Sequence, residues 1–310
     1  NGSKIDDVSK LKKFNGIKLL QSRMILGLAD GINTGAKESS ATKYIVLLNN
    51  DTTVPKNWLD EMVKAMDNYP ELGEAMSKIY NKYSAKDFRF DWHGTSTHLL
   101  YIAAYKFAVS ESRYVPTFSS SGGAMIYRKS LVPEPFDESY FIYHEDSYLG
   151  WLLRLKGHKV GVIPKAIVYH EGEGTVKSVK GMGNLFTYLG ERNRIMNLLL
   201  FYSPFTLLRL LPLLLFTLVF NNIYDVKRLP LRLKSYFWIL THTFIILSKR
   251  FKIQKQRKVS DADILKYMSA KLFEESSFSG FPKLIVQLLN ILAVNYTKLV
   301  GLKSVESTHP

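Results

Sequence analysis

A short apolar run that stops at two amides and a carboxylate constrains this chain more than any other stretch. Lys43 to Leu48 carries Ile45, Val46, Leu47 and Leu48, and Asn49-Asn50-Asp51 follows. The run is β-branched and too brief for a helix, so it reads as a buried strand. Pro55 then opens a helical pattern over 55–68, with Trp58, Leu59, Met62, Val63 and Met66 on one side. Proline is well tolerated in a first helical turn. The pattern therefore places Asp51 just past the carboxyl end of a central strand, where open α/β sheets bind ligands. A carboxylate there either caps the helix or turn, or holds a ligand. The strand alone does not choose.

Upstream, Gly27 to Ala36 (Gly-Leu-Ala-Asp-Gly-Ile-Asn-Thr-Gly-Ala) has two readings. One is a loop feeding a helix that ends near Ser39–Ser40. The other is a glycine-rich turn that lets backbone and Asn33 approach a nucleotide, although its spacing is not GxGxxG. The first apolar strand is expected at Gly16 to Leu20. The polar, turn-like opening Asn1-Gly2-Ser3 suggests a chain that begins inside a domain. Downstream, Gly73 to Tyr80 reads as a strand, and 81–114 as irregular strands or a hairpin, with Trp92 and His93 as packing residues. Val115–Phe118 and Ala124–Arg128 read as strands joined by Ser119-Ser120-Ser121-Gly122-Gly123. The paired glycines allow close backbone approach to another segment or to a ligand.

Phe136 to Leu155 is the second informative stretch. Phe141-Ile142-Tyr143 is followed by His144-Glu145-Asp146, and then Leu149, Leu152, Leu153 and Leu155 recur at roughly helical spacing. Gly157 fits a helix C-terminal cap. Glu145 and Asp146 thus start a helix, where the dipole favours carboxylates, or one of them is a general base at a pocket rim. Lys159–Ile163 and Ala166–Tyr169 read as two short strands, the second ending on His170, a candidate metal ligand. Residues 172–184, rich in glycine and lysine, suit a lid. Arg192-Asn193-Arg194 on the next helical pattern offers guanidinium groups for phosphate oxygens.

In this order, the Asn33 region, Leu-Asn-Asn-Asp, Ser-Gly-Gly-Ala, His-Glu-Asp, His170 and Arg-Asn-Arg resemble family 2 glycosyltransferases of the GT-A fold, in the rhamnosyltransferase-like branch. The resemblance covers about residues 1–200. It implies an α/β, Rossmann-like mixed sheet, incomplete at its start, that moves a sugar from a nucleotide-diphosphate donor with inversion. By the same resemblance Asn49-Asn50-Asp51 stands at the DXD-type motif, with Asp51 on Mg²⁺ or Mn²⁺ and Asn50 near the donor ribose or phosphate. Asp146 stands at the catalytic base with Glu145 beside it. His170 stands at a second metal or diphosphate contact, and Gly122 and Gly123 at the acceptor-side loop. Asn33, Asn49, Arg192 and Arg194 complete the donor set. The sequence departs from the family at Ile25-Leu26-Gly27, where Asn-x-Gly is usual. It departs again at Ser147-Tyr148-Leu149-Gly150, where an acidic residue and a cysteine-containing helix are usual. Its opening looks like the tail of the family's V-V-D-N-x-S motif.

The last third differs in kind, and here composition matters. The chain of 310 residues has formal charge +15 and no cysteine. Residues 201–310 carry 16 Lys/Arg against 6 Asp/Glu. Leu198–Phe220, Tyr236–Leu247 and Pro282–Val300 are apolar, and 249–258 holds six basic and no acidic residues. These stretches read as helices lying in or dipping into a membrane interface, with the basic run on anionic headgroups. The other reading is a helical subdomain packed on the catalytic domain or on a second copy. Nucleic acid is not expected as a partner, because 249–258 interleaves only Phe251 among its cations. The expected division is a catalytic domain over 1–197 and an apolar, basic helical region over 198–310. The acceptor expected is a glycan, lipid-linked or cell-surface hydroxyl. A glycoside hydrolase would need a second carboxylate across the substrate, and none stands out beyond Asp51. A degenerate scaffold that binds membrane or partner is the non-enzymatic alternative.

Overall fold

The computed structural model describes residues 14–20, 22, 26–39, 42–81, 95–101, 104–106, 113–170, 182–275 and 278–308. The expected features at Asn1–Ser3, Trp92, His93 and most of 172–184 lie outside them. The elements in chain order are α1 (Gly27–Glu38), β1 (Tyr44–Leu48), β2 (Thr52–Thr53), α2 (Trp58–Asn68), β3 (Leu72–Asn81), β4 (Thr95–Thr97), β5 (Ala104–Lys106), β6 (Val115–Pro116) and β7 (Ala124–Arg128). Then come α3 (Glu145–Leu155), β8 (Lys159–His170), α4 (Met182–Phe201), α5 (Pro204–Tyr224), α6 (Leu229–Thr241), α7 (Thr243–Gln254), α8 (Asp261–Leu265), α9 (Gly280–Leu299) and α10 (Val305–Thr308).

The main sheet is mixed, in the order β1-β7-β3-β8-β2, with β6 also paired to β8. Among the described residues of this sheet only β3 and β8 run parallel; the other pairs are antiparallel. Apolar faces explain the layers. On α2, Trp58, Met62, Ala65 and Met66 are buried one helical turn apart, and the Trp58 indole donates to Ser77 Oγ at 2.7 Å. On the other side α3 buries Leu149, Trp151, Leu152, Leu153 and Leu155. Trp151 stacks between Tyr101 and Phe201, with centroids 5.1 and 4.9 Å away. It thereby joins the sheet layer to the end of α4, and a single apolar core runs through both.

Several expectations are corrected. Residues 17–20 form no strand. β1 is an edge strand among the described residues, so the Leu48 side chain is 44% exposed. The turn before α2 occupies 55–57, so the helix starts at Trp58 and turns Leu59 outward. The two short strands expected over 159–169 are one strand, β8; its register against β3 shifts between Ser77 and Lys78 and so accommodates Pro164.

Beyond Phe201 the chain is helical. Among the described residues only α5 is long and apolar enough to cross a membrane, by length and composition alone. Large apolar side chains stand in solvent along α5, α6, α7 and α9, for example Phe205 (76%), Phe237 (68%), Phe244 (87%) and Leu284 (62%). The basic run is divided in use. Lys249 pairs with Asp137, Arg250 caps the Leu199 carbonyl, and Arg257 pairs with Asp261. Lys252, Lys255 and Lys258 point into solvent. About half of the run is therefore internal bracing rather than a free cationic surface.

Candidate active site

Strand pairing assembles the centre. Thr52 lies opposite His170 in the β2–β8 pair, which sets the preceding Asp51 against the histidine. His170 Nε2 stands 3.0 Å from Asp51 Oδ1, and both side chains remain partly open to solvent. The Gly122-Gly123 turn comes to the same place. Asn49 N–H donates to the Gly123 carbonyl at 2.9 Å. A Cβ on Gly123 would meet Asn49 Nδ2 at 3.5 Å and His170 Cε1 at 3.6 Å. From its other side the turn donates the Gly122 N–H to Asp146 Oδ2 at 3.3 Å. One two-residue turn thus joins the Asp51–His170 pair to the first turn of α3. Six residues singled out from sequence, Asn49, Asp51, Gly122, Gly123, Asp146 and His170, meet here, while Asn50 is exposed at the tip of the turn.

Asp146 is held by two further bonds, from Ser147 N–H at 2.6 Å and Ser147 Oγ at 3.3 Å. Burial nevertheless pushes its carboxyl above the ordinary range. Glu145 turns inward; burial, with the Asp146 charge beside it, pushes its carboxyl up to about 8. Its Oε2 is buried without a hydrogen-bond partner. Of the two, Asp146 faces the turn, and Glu145 belongs to the interior.

Three members of the expected donor set do other work. Asn33 is buried inside α1, not in a glycine turn. Its amide donates to the Phe136 carbonyl at 2.7 Å and accepts from Phe136 N–H at 3.1 Å. Arg192 is buried over the Trp238 ring and donates to the Ser139 carbonyl at 2.6 Å. Arg194 is buried against Glu191 and the Leu100 carbonyl. All three thus have donors engaged with protein groups in the interior.

What they and their neighbours do is hold the loop that presents Asp146. Phe141, Tyr143 and His144 all have positive φ, at 61°, 73° and 66°. Non-glycine residues occupy that region only when the surroundings enforce it. Asn193 Nδ2 donates to the carbonyls of Tyr140, Ile142 and Tyr143, and Asn197 Nδ2 donates to that of His144. From the opposite side, the first N–H groups of α1, at Leu28 and Ala29, donate to the Phe141 carbonyl. This approach requires Gly27, where a Cβ would lie 2.6 Å from that carbonyl and from the Phe141 ring.

Sequence reasoning also missed Glu74. It is fully buried on β3 and accepts Ser120 N–H at 3.0 Å, bracing the segment that leads into the Gly122-Gly123 turn. Alternation along β3 gave no sign that this position faces inward. Burial pushes its carboxyl up to about 8. A folded state that keeps a proton the unfolded chain has released loses stability as pH rises between the two pKa values. Glu74→Gln keeps the acceptor for Ser120 and removes the titration. Urea-unfolding midpoints of the variant should therefore overtake the wild type progressively from pH 5 to 8. Parallel profiles would show that this carboxyl is not held protonated.

Among the described residues no group of three or more His, Cys, Asp or Glu side chains gathers. The Asp51–His170 pair still fits a divalent cation. Two ligands about 2.1 Å from one octahedral ion at a right angle stand about 3 Å apart, which matches their separation. One carboxylate and one imidazole leave most positions for water and diphosphate oxygens.

A mixed sheet that gathers a strand-end aspartate, a strand-end histidine and a helix-start aspartate around one glycine turn has the GT-A-like architecture of glycosyltransferases. The chain is similar in fold to the crystal structure of GalNAc-T7 with UDP, GalNAc and Mn²⁺, at 12% identity and a TM-score of 0.50, over 65% of this chain. It spans 40% of that chain. A family profile described as Glycosyl transferase family group 2 matches residues 44–248. The chain belongs to that family. No curated protein matches it.

Proposed function

We propose that this chain transfers a sugar from a nucleotide-diphosphate donor to an acceptor hydroxyl with inversion at the anomeric carbon. The observation that carries the reading is the Gly122-Gly123 turn, which touches Asp146 on one side and Asn49 and His170 on the other. Donor and acceptor chemistry can then meet across one small turn. Asp51 and His170 would hold Mg²⁺ or Mn²⁺, which when bound offsets charge developing on the leaving diphosphate. The structure of GalNAc-T7, solved with UDP and Mn²⁺, supports such a metal without choosing between the two ions. Asp146 accepts the proton that the acceptor hydroxyl loses as it attacks, and its raised pKa makes it a stronger base than an ordinary aspartate. Glu145 and Glu74 are buried in the interior, whereas Asp146 is only partly covered and faces the turn, so a single base matches single displacement.

The helices after Phe201 suit a membrane seat. Large apolar side chains stand in solvent along α5, α6, α7 and α9, and contiguous exposed apolar surface marks an interaction site. The excess of Lys and Arg over 201–310 favours an anionic, cytoplasmic leaflet. A second copy covering the same faces is the alternative.

The test is a panel of nucleotide sugars, a rhamnose donor among them because the co-linear motifs resemble that branch. Release of nucleoside diphosphate is followed with Mg²⁺ or Mn²⁺, and the product anomer is read by NMR. Release that depends on the cation, with an inverted product, supports the proposal. A retained configuration would remove Asp146 from the role of base in a single displacement.

A further inference from the structure

A cleft of about 300 Å³ lies between α2 and the middle of β8, and none of its lining residues belongs to the centre at Asp51, His170 and Asp146. Its size is at the lower end of small-molecule sites. Lys64 from α2, Arg113 from the segment before β6 and Lys165 from β8 line it. All three are exposed, and among the described residues none of them forms an ion pair or a side-chain hydrogen bond. Glu61 is the one acid in the lining. Cations that converge in a concave surface without matching counter-charge focus the field and concentrate anions there.

The sheet is interrupted to form this cleft. Ser77 of β3 pairs with Ile163 and Lys78 with Ile167, so Pro164, Lys165 and Ala166 have no register partner on β3. A bulge re-aims side chains, and this one brings Pro164 and Lys165 into the lining. Another part of the wall is aromatic and fixed. The Tyr114 ring lies on Gly161, where a Cβ would meet it at 2.6 Å. Its hydroxyl donates to Glu71 at 3.0 Å, and the Tyr69 ring meets it edge to face at 4.9 Å. On α2, Glu61, Lys64 and Asn68 are three and four residues apart and share one face, so a carboxylate and an amide stand beside the lysine. We propose that this cleft is a second small-molecule site and that its ligand is a phosphorylated sugar. The phosphate meets Lys64, Arg113 and Lys165, with Arg113 able to grip two oxygens at once. The carbon face of the ring lies against the tyrosines and Pro164. Its hydroxyls donate to Glu61 and bond with Asn68, and the Glu61 charge disfavours a bare anion that has no donor to offer. The site stands independently of the glycosyl-transfer reading.

The probes are glucose 1-phosphate and glucose 6-phosphate, titrated by calorimetry into the full chain in EDTA, where phosphate binding through a metal at Asp51 and His170 is removed. Glucose and inorganic phosphate are the comparisons. At least one sugar phosphate should bind with one-to-one stoichiometry, at least tenfold tighter than either comparison. Lys165→Glu and Arg113→Glu should each weaken it at least tenfold, and Lys165→Arg should keep most of the affinity. These side chains are exposed, so thermal unfolding of the unliganded variants should match the wild type. Glu61→Gln should narrow the preference for the sugar phosphate over inorganic phosphate. Inorganic phosphate binding as tightly as both sugar phosphates, or sugar-phosphate binding unchanged in Lys165→Glu, would overturn the site. Displacement of the probe by a single-stranded oligonucleotide at lower concentration than by the sugar phosphate itself would reassign the cleft to a polyanion surface and also overturn it. If the sugar phosphate binds as expected while no nucleotide binds with Mn²⁺, the glycosyl-transfer reading fails and this second site survives.

Discussion

Asp146→Asn should leave nucleotide binding nearly unchanged and lower turnover by roughly 10²–10⁴-fold, the range that general-base catalysis contributes. The amide keeps the oxygen that accepts the Ser147 N–H and Oγ–H bonds, so the first turn of α3 retains its shape. It removes the basicity and the one oxygen that accepts the Gly122 N–H, a single bond of 3.3 Å. In the wild type the base must be ionised, so kcat rises with pH through its pKa. Because burial raises that pKa, the acid limb of the profile should lie above the pH at which an exposed aspartate titrates. The limb should be absent from the residual activity of the variant. Single-turnover transfer at several pH values measures both. If turnover of bound donor is unchanged, Asp146 is a helix-start residue and nothing more.

The second large effect is expected one layer away from the chemistry, at Asn193. This buried amide donates to three carbonyls of the loop before Glu145, over residues that adopt positive φ. Asn193→Ala leaves those carbonyls short of a donor in the interior, and each such loss costs about 1–3 kcal/mol. The strained conformation then has less to enforce it, and Asp146 is free to leave the position from which it serves the acceptor. Stability should fall by a few kcal/mol and kcat by more than tenfold, while donor affinity changes little. Asn193→Asp keeps the size but cannot donate, so it should resemble Ala rather than wild type. A merely structural role would lower stability while leaving kcat and its pH profile per folded molecule intact.

These two residues mark what was legible in the sequence. Apolar runs bounded by turn residues gave β1 and β7 almost to the residue, and the periodicity after His144 gave α3 with the same ends. Asp51, His170, Gly122, Gly123 and Asp146 stood out because each lies at or beside an element end, and strand pairing brings such ends together. That Asn33, Arg192 and Arg194 turn to neighbouring protein groups could not be read from the sequence, for a physical reason. A polar side chain inside a helix reads the same whether it faces a ligand or satisfies a carbonyl on a neighbouring loop. The decision lies in tertiary packing, here of α1 and α4 against 136–144. Asn193 stood in the quoted motif, between the two arginines, and its role could not be seen until those carbonyls converged on it. Glu74 was hidden because its partner, Ser120, is far along the chain. β8 was divided because Pro164 reads as a break, whereas the register shift against β3 lets the strand continue through it.

The central claim is that donor and base belong to one site with separate duties. Its most direct test is calorimetric titration of nucleoside diphosphate into the wild type, Asp51→Ala and Asp146→Asn, each with and without Mn²⁺. Wild type and Asp146→Asn should bind with matching, Mn²⁺-dependent affinities, and Asp51→Ala should lose at least tenfold of the Mn²⁺-dependent part. If Asp51→Ala binds nucleotide and Mn²⁺ as the wild type does, or if Asp146→Asn alone abolishes binding, the division of duties across the Gly122-Gly123 turn is contradicted.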